Sequence, residues 1–476
     1  MTNAMTPMQP PIQSPMKTEI HLAELIGALS YALDITEGQP PGHCTRCCLI
    51  GMRLGRAIGL PERSLWELYY TLLLKDLGCS SNAARICELY VTDDLTFKRD
   101  IKSMNGSLPQ VVRFVLGHTG LGASLLERFK IMLGAVRTRE ESAQELILTR
   151  CQRGASIARR LRFDERVSAG IHSLDEHWDG GGRPQRLAGQ DIPIYSRIAL
   201  LAQIVDVFNT SGGPESALAE ARERCGTWLD PALVAALEQI GPDDELWETL
   251  RSPELPKLVF AEEPAQFSIA VDDAFLDEIA AAFGEVVDSK SPYTAGHSGR
   301  VGLYTDLIAA ELSLSAERRR WLLRGALLHD VGKLGVSNAI LDKPGKLDAA
   351  EWDAVRKHPV YTEEILSRIP QFAALAVVAG AHHERLDGKG YPRGIGAEQI
   401  ALETRIITTA DIFDAITAAR PYRGAIPVPK TLEIMAETVG TALDPDCFAA
   451  LRRVVALLDA RAAGSMTPAP LTRDAA

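Results

Sequence analysis

Five of the ten histidines in this 476-residue chain, His297, His329, His358, His382 and His383, fall between positions 297 and 383. Each stands beside an acidic or loop-like neighbour rather than within an apolar stripe, with Asp330 following His329 and Glu384 following His383. A lone histidine is usually a structural residue, but five in one region, two of them adjacent, reverse that expectation. Imidazoles and carboxylates together suit iron, manganese or zinc, and such sites serve hydrolysis when coordination positions stay open. A carboxylate next to a ligand histidine in the last turn of a helix can bridge two metals. Two ions about 3.5 to 4 Å apart would share an activated water for in-line attack on phosphorus. The chemistry expected is phosphate-ester hydrolysis.

The segments LLHDVGKLGV (327–336) and AHHERLDGKGYP (381–392) resemble the HD-GYP branch of the HD phosphohydrolase superfamily, a resemblance that covers residues 270 to about 460. It implies that His297, His329, Asp330 and Asp411 hold one metal, and that Asp330, His358, His382 and His383 hold the other. The metals implied are iron or manganese, with zinc, magnesium, nickel and cobalt as alternatives. Asp330 and Lys333 would be the catalytic residues, Lys333 facing the phosphate to stabilise developing charge or help protonate the departing oxygen. Relatives with three metals carry a glutamate four residues before the first ligand histidine; here that position is Tyr293, so two metals are expected.

Gly388, Gly390, Tyr391 and Pro392 form a tight loop, since glycine permits turns that other residues resist. By resemblance this loop walls the substrate cleft. With it go Arg385, Asp387, Arg420 and Arg423 as substrate-binding residues, and arginine forks pair well with phosphate oxygens. Lys389 and Arg393 add positive charge but read equally well as solvated. The activity implied is hydrolysis of cyclic di-GMP to linear pGpG, to GMP, or to both. Another cyclic dinucleotide or a nucleotide phosphate is the alternative substrate, and a cyclic-dinucleotide-binding module that does not cut is the alternative from another class. A diguanylate cyclase (GGDEF) domain protein is the protein partner the family suggests.

The elements that must position these residues are helical. Apolar residues recur at helical spacing, as in Ile279, Ala282, Phe283, Val286 and Val287, and almost no segment alternates like a strand. The chain also repeats itself. A shift of 254 lays residues 17–79 on 271–333 without a gap, with His43 on His297 and Asp76 on Asp330. A shift of 208 lays Glu176, Asp179, Gly180, Gly182 and Pro184 on Glu384, Asp387, Gly388, Gly390 and Pro392, and continues through Asp206 on Asp414. The sequence GTWLDPALVAAL (226–237) matches GTALDPDCFAAL (440–451) in eight of twelve positions.

The expected fold is therefore all-α, two HD-type helical bundles in tandem. Tails are expected at 1–16 and 462–476, a degenerate HD-GYP-like domain at 17–240, a proline-studded linker at 241–270 and the catalytic HD-GYP domain at 271–461. The first copy carries extra residues within 83–150. It keeps His43 and Asp76, but Lys75, Cys79, Leu174, Asp175, Gln203 and, in a looser alignment, Arg150 stand where the second copy has His329, Lys333, His382, His383, Asp411 and His358. A lysine ammonium repels cations and leucine cannot ligate, so no metal centre is expected there.

A net charge of -11 argues against binding nucleic-acid backbone, which needs a basic face. No apolar stretch long enough to span a bilayer and no signal-peptide core occurs, so no membrane partner and a cytoplasmic location are expected. The eight cysteines read as reduced, packed thiols. Cys44, Cys47 and Cys48 have only His43 nearby, and a structural zinc there is not expected.

Overall fold

A computed structural model describes residues 21–104, 108–120, 128, 131, 139–267, 269–421 and 423–462; most of the two expected tails lies outside the described residues. The architecture is all-α, as the apolar periodicity requires. Among the described residues β-structure is limited to isolated bridges such as His21 with Ala270.

The first half begins with helices α1 (Leu22–Thr36), α2 (His43–Ala57) and α3 (Glu62–Leu74). Then come α4 (Ala83–Tyr90), α5 (Asp94–Ile101), α6 (Leu108–His118) and α7 (Arg139–Arg160), the described helices of the expected insertion and its edge. The half continues with α8 (Glu165–His172), α9 (Ile194–Glu223, broken at Gly213) and α10 (Pro231–Ile240). The segment expected as a bare linker is more structured than its prolines suggest. It folds into α11 (Leu246–Thr249) and α12 (Leu255–Ala261), and Trp247, Leu250 just after α11, Leu255 and Val259 are buried against the first half. Pro256 sits in the first turn of α12, where its missing N–H costs no helical bond.

The second half comprises α13 (Asp273–Asp288), α14 (His297–Glu311), α15 (Ala316–Leu328), a 3₁₀ turn (Val331–Gly335), α16 (Asn338–Leu341) and α17 (Ala349–Val355). It ends with α18 (His358–Leu366), α19 (Ala373–Ala379), α20 (Leu402–Thr417), α21 (Val428–Ala436) and α22 (Pro445–Ala462). Helix starts are capped by side chains: Ser315 caps α15, and Asp348 with Glu351 forms a reciprocal capping box on α17.

One apolar core runs through both halves, joining Leu29, Tyr69 and Leu201 to Phe283, Val331 and Leu366. Helix α1 packs directly behind the Val331–Gly335 turn and α18. A second core around Ile308, Phe413 and Leu451 belongs to the second half alone.

Candidate active site

Two ends of helices and two turns bring the second-half histidines together. His297 opens α14, where Asp288 at the end of α13 accepts bonds from the amide and hydroxyl of Ser298 and so fixes the start of that helix. His329 and Asp330 follow α15, His358 opens α18, and Asp411 projects from α20. The glycine after the His-Asp pair is required sterically, because a Cβ on Gly332 would lie 2.0 Å from the carbonyl oxygen of His358. The hydroxyl of Thr362 closes the same contact, donating to the carbonyl of His329 (2.9 Å) and accepting from the Gly332 amide (3.0 Å).

Four of the rings are oriented by the nitrogen that faces away from the centre. Nδ1 of His329, His358 and His382 lies 2.6 to 2.7 Å from the carbonyls of Ala326, Val355 and Ala379. Only an N–H is compatible with a carbonyl there, so Nε2 carries the lone pair. Nδ1 of His297 lies 2.7 Å from Asp414, a carboxylate that Arg300 also grips at 2.6 Å.

The Nε2 atoms then converge on two carboxylates. His297 is 3.4 Å from Asp330 Oδ2 and 3.3 Å from Asp411 Oδ1; His329 is 3.4 Å from Asp330 Oδ2; His358 and His382 are 3.4 and 3.6 Å from Asp330 Oδ1. The Nε2 atoms of His358 and His382 face each other at 3.3 Å. His297 Nε2, His329 Nε2 and Asp330 Oδ1 are buried without a hydrogen-bond partner. Lone pairs pointing at one another around a buried carboxylate fit divalent cations, and the carbonyl- and carboxylate-anchored Nδ1 atoms are the usual outer support of histidine ligands. The groups His297, His329 and Asp330, then His329, His382 and Asp411, and then His358, His382 and His383 are each compact enough to hold an ion.

Electrostatics agree for three of the rings and differ for His297. Burial pushes His358 down to about 3 and His382 down to about 4, and it holds His383 well below the ordinary value, so these rings are neutral and ligand-ready near neutral pH. For His297 burial pulls the same way, but Asp330, Asp411 and Asp414 together outweigh it and hold the ring well above the ordinary value. Burial would raise Asp330 and Asp411, yet the surrounding imidazoles, and for Asp330 also Lys333, hold both well below the usual carboxylate range.

Lys333 is bonded to Asp330 and reaches a cavity of about 440 Å³. His358, His383, Tyr391, Asp411, Arg420 and Arg423 also line it. Tyr391 stacks on His383 at 4.8 Å, and Gly390 lets this loop close, since a Cβ there would meet backbone at 2.5 Å. Other expected binding residues stand apart. Arg385 is paired with Asp387 at 2.7 Å, and neither lines the cavity; Gly388 and Pro392 shape the loop without facing it. Lys389 is likewise absent from the lining, and Arg393 is paired with Glu363. Arg423 spends its guanidinium on the carbonyls of Ala415 and Ile416 at the end of α20, a helix cap more than a phosphate clamp.

No motif marks Asp414, Arg300, Thr362 and Asp288, which hold the expected ligands in place, or Lys290 and Trp352, which line the cavity. The pairing of Asp206 with Asp414 in the internal repeat was a usable signal for the first of these.

The first half repeats this scaffolding with a different centre. His43 Nδ1 lies 2.7 Å from Asp206, which Arg46 grips at 2.6 Å. Asp34 accepts from the amide of Cys44 as Asp288 does from Ser298. Glu176 holds the amides of Gln185 and Leu187 as Glu384 holds those of Arg393 and Ile395. At the centre, the buried ammonium of Lys75 lies 3.1 Å from His43 Nε2, is bonded to Asp76 and is 3.4 Å from Gln203 Oε1. Arg150 is bonded to Asp175. Cys47 and Asp206 lie close enough to His43 to share an ion, but Lys75 already supplies the positive charge there.

The HD domain family model matches residues 135–233 and 282–447. The 3'3'-cGAMP-specific phosphodiesterase 3 of Vibrio cholerae serotype O1 is 56% identical over 437 residues, covering 92% of this chain and 95% of that protein. This chain belongs to the HD domain family, in its HD-GYP branch. Hydrolases of the family are metal-dependent, in keeping with the donor set above. A crystal structure of a V. cholerae cyclic GMP-AMP specific phosphodiesterase has a TM-score of 0.64 to this HD-GYP chain at 50% identity, covering 92% of it and 99% of the other chain. A cyclic di-GMP phosphodiesterase response regulator of Xanthomonas campestris pv. campestris is 37% identical over 186 residues, 38% of this chain and 49% of that protein. Among the described residues no helix is long and apolar enough to cross a membrane.

Proposed function

We propose that the second half is a two-metal cyclic dinucleotide phosphodiesterase and that 3'3'-cGAMP is its preferred substrate. The single observation that carries the choice of nucleotide is the 56% identity to the 3'3'-cGAMP-specific enzyme over nearly the whole of both chains. Cyclic di-GMP, the substrate implied by the motifs alone, is the second reading, favoured by relatives of 37–40% identity that match about a third of this chain.

His297, His329, Asp330 and Asp411 would hold one ion and Asp330, His358, His382 and His383 the other, iron or manganese suiting such a mixed set. Ions bound there supply a nucleophilic water and polarise the phosphoryl oxygen. The chain's own contribution is positioning and charge. Lys333, released from Asp330, faces the phosphate and stabilises the negative charge that develops on it, and Arg420, whose Nε donates to the Ala415 carbonyl at 3.4 Å, keeps its terminal nitrogens to reach the second phosphate. Trp352 and Tyr293, 45% and 38% exposed in the cavity wall, offer faces on which purines stack. Lys75 and Arg150 fill with fixed cations the places that ions take in the second half, which supports reading residues 17–240 as a degenerate, metal-free copy of 271–461.

The test is anaerobic purification with iron or manganese, incubation with 3'3'-cGAMP and with cyclic di-GMP, and chromatography of the products, with Asp330→Ala as control. Linear dinucleotide formed faster from 3'3'-cGAMP and lost in the variant supports the first reading; the reverse preference supports the second. Metal-loaded protein that cuts neither nucleotide rejects both.

A further inference from the structure

Helix α5 belongs to the insertion of the first half, yet it reaches from the edge of the first-half cluster to residues that wall the second-half cavity. Asp93 caps it, accepting from the amides of Leu95 and Thr96 at 3.2 Å. Asp94, Lys98 and Lys102 follow at intervals of four and so share one face. Lys102 lies 2.8 Å from Glu37, and Lys98 donates to the carbonyls of Cys79 (2.7 Å) and Thr36 (3.3 Å), beside the His43–Lys75–Asp76 cluster.

At the other end the same face crosses into the second half. Asp94 is fully buried. Its Oδ1 accepts from the amide of Asn338 at 2.8 Å and from the Ser337 hydroxyl at 3.0 Å, and its Oδ2 lies 3.4 Å from the buried ammonium of Lys290. Asn338 in turn donates to the Lys290 carbonyl and to Asp342, both at 2.7 Å, and Asp342 accepts from Ser291 at 2.5 Å. Two stretches of the cavity wall are thereby tied to one carboxylate: Lys290, Ser291 and Thr294 before α14, and Ile340 and Leu341 in α16. A buried lysine whose carboxylate partner is removed must find water or move, and the loop that carries it moves with it.

We propose that Asp94 is a positioning residue for the substrate cleft, holding the 290–294 loop and α16 from the other half of the chain in the arrangement that binds the nucleotide. This rests on the cavity beside Lys333 being the substrate site. The test compares Asp94→Asn and Asp94→Glu with the wild type in full-length, manganese-loaded protein, using whichever of 3'3'-cGAMP and cyclic di-GMP the wild type cleaves. Asp94→Asn should raise KM about tenfold or more, leave kcat within about threefold and leave metal content unchanged, while the glutamate restores part of the loss. Amides in 288–294 and 336–342 should exchange about tenfold faster in Asp94→Asn, a readout independent of the substrate.

Should Asp94→Asn fail to fold, Ser337→Ala removes one bond to Asp94, together with the cap it gives the Ala339 amide, without unpairing Lys290; KM and the exchange of 288–294, which the cap does not touch, should shift in the same direction but less. Unchanged KM and unchanged exchange in folded protein would overturn the proposal. So would a parallel loss of kcat and bound metal, which would make Asp94 a residue of the fold alone. A wild type that cleaves neither nucleotide rejects the substrate reading, while the exchange measurement still decides whether Asp94 holds the rim.

Discussion

At the scale of single residues, Asp330 is the point on which the centre turns, since its two oxygens face Nε2 atoms on opposite sides. Asp330→Asn should abolish turnover and strip metal, both read by elemental analysis beside product chromatography. Lys333→Met separates charge stabilisation from metal holding: kcat should fall about 10²- to 10³-fold with metal retained. Asp414 touches no reacting group, but it sets the ring of His297. Asp414→Asn should therefore weaken metal binding about 10- to 100-fold in a competition titration with a chelator. The proposed ligands were legible as letters because histidine next to aspartate or histidine is an uncommon pairing. Their supports were not, because an aspartate that orients a ring looks like any other aspartate until the fold brings it there.

Among the elements, the His-Asp pair and the opening of α18 are joined by a contact too close for any side chain at position 332 and are closed by one hydroxyl. Thr362→Val keeps the shape and removes that hydroxyl, leaving the Gly332 amide and the His329 carbonyl buried with fewer bonds. The cost should be about 1–3 kcal/mol in denaturant unfolding, together with looser metal binding. Helical periodicity predicted these elements well, and capping residues such as Ser315 and Asp348 marked their starts. It predicted the prolines of 241–270 less well: Pro256 opens a helix rather than ending one. Arg423 misled for a related reason, since a motif records that a guanidinium is present and not whether a helix end has already taken its donors.

For the molecule as a whole, two kinds of charge balance coexist. In the first half the buried pair of Lys75 and Asp76 is permanent. Lys75→Met removes the ammonium bonded to Asp76 and leaves Lys102 as its remaining buried cation; it should cost about 3 kcal/mol, part of it recovered in Lys75→Met with Asp76→Leu, as measured by urea unfolding. In the metal-free protein pH gives a second test. Burial, with Lys75 adding to it, lowers His43 to about 4, and burial lowers His358 to about 3 and His382 to about 4. The unfolded rings take protons near pH 6.5 and the folded ones do not. Their contribution is full above about pH 6.5 and is lost as pH falls toward 4, with His297 acting in the opposite sense. The melting temperature of metal-free protein should drop between pH 7 and pH 5, and a flat profile would show that these rings are not held neutral. Duplicated patterns in the sequence pointed to a shared plan for the two halves. That they share one apolar core, with α1 behind the Val331–Gly335 turn, depends on surfaces meeting in space and left no mark in any local spacing.

The ammonium of Lys75 has a consequence of a different kind. A metal ion can be lost to dilution, exchanged for a competitor or, if it is iron, oxidised; an ammonium on a covalent stem can do none of these. On the proposed reading, the half that holds Lys75 has its central charge balanced without an ion, while the ligand set of the other half would be complete only when ions are available. Scarcity would then silence the chemistry without dismantling the molecule, and activity could return as soon as metal does, with no need to fold the chain again.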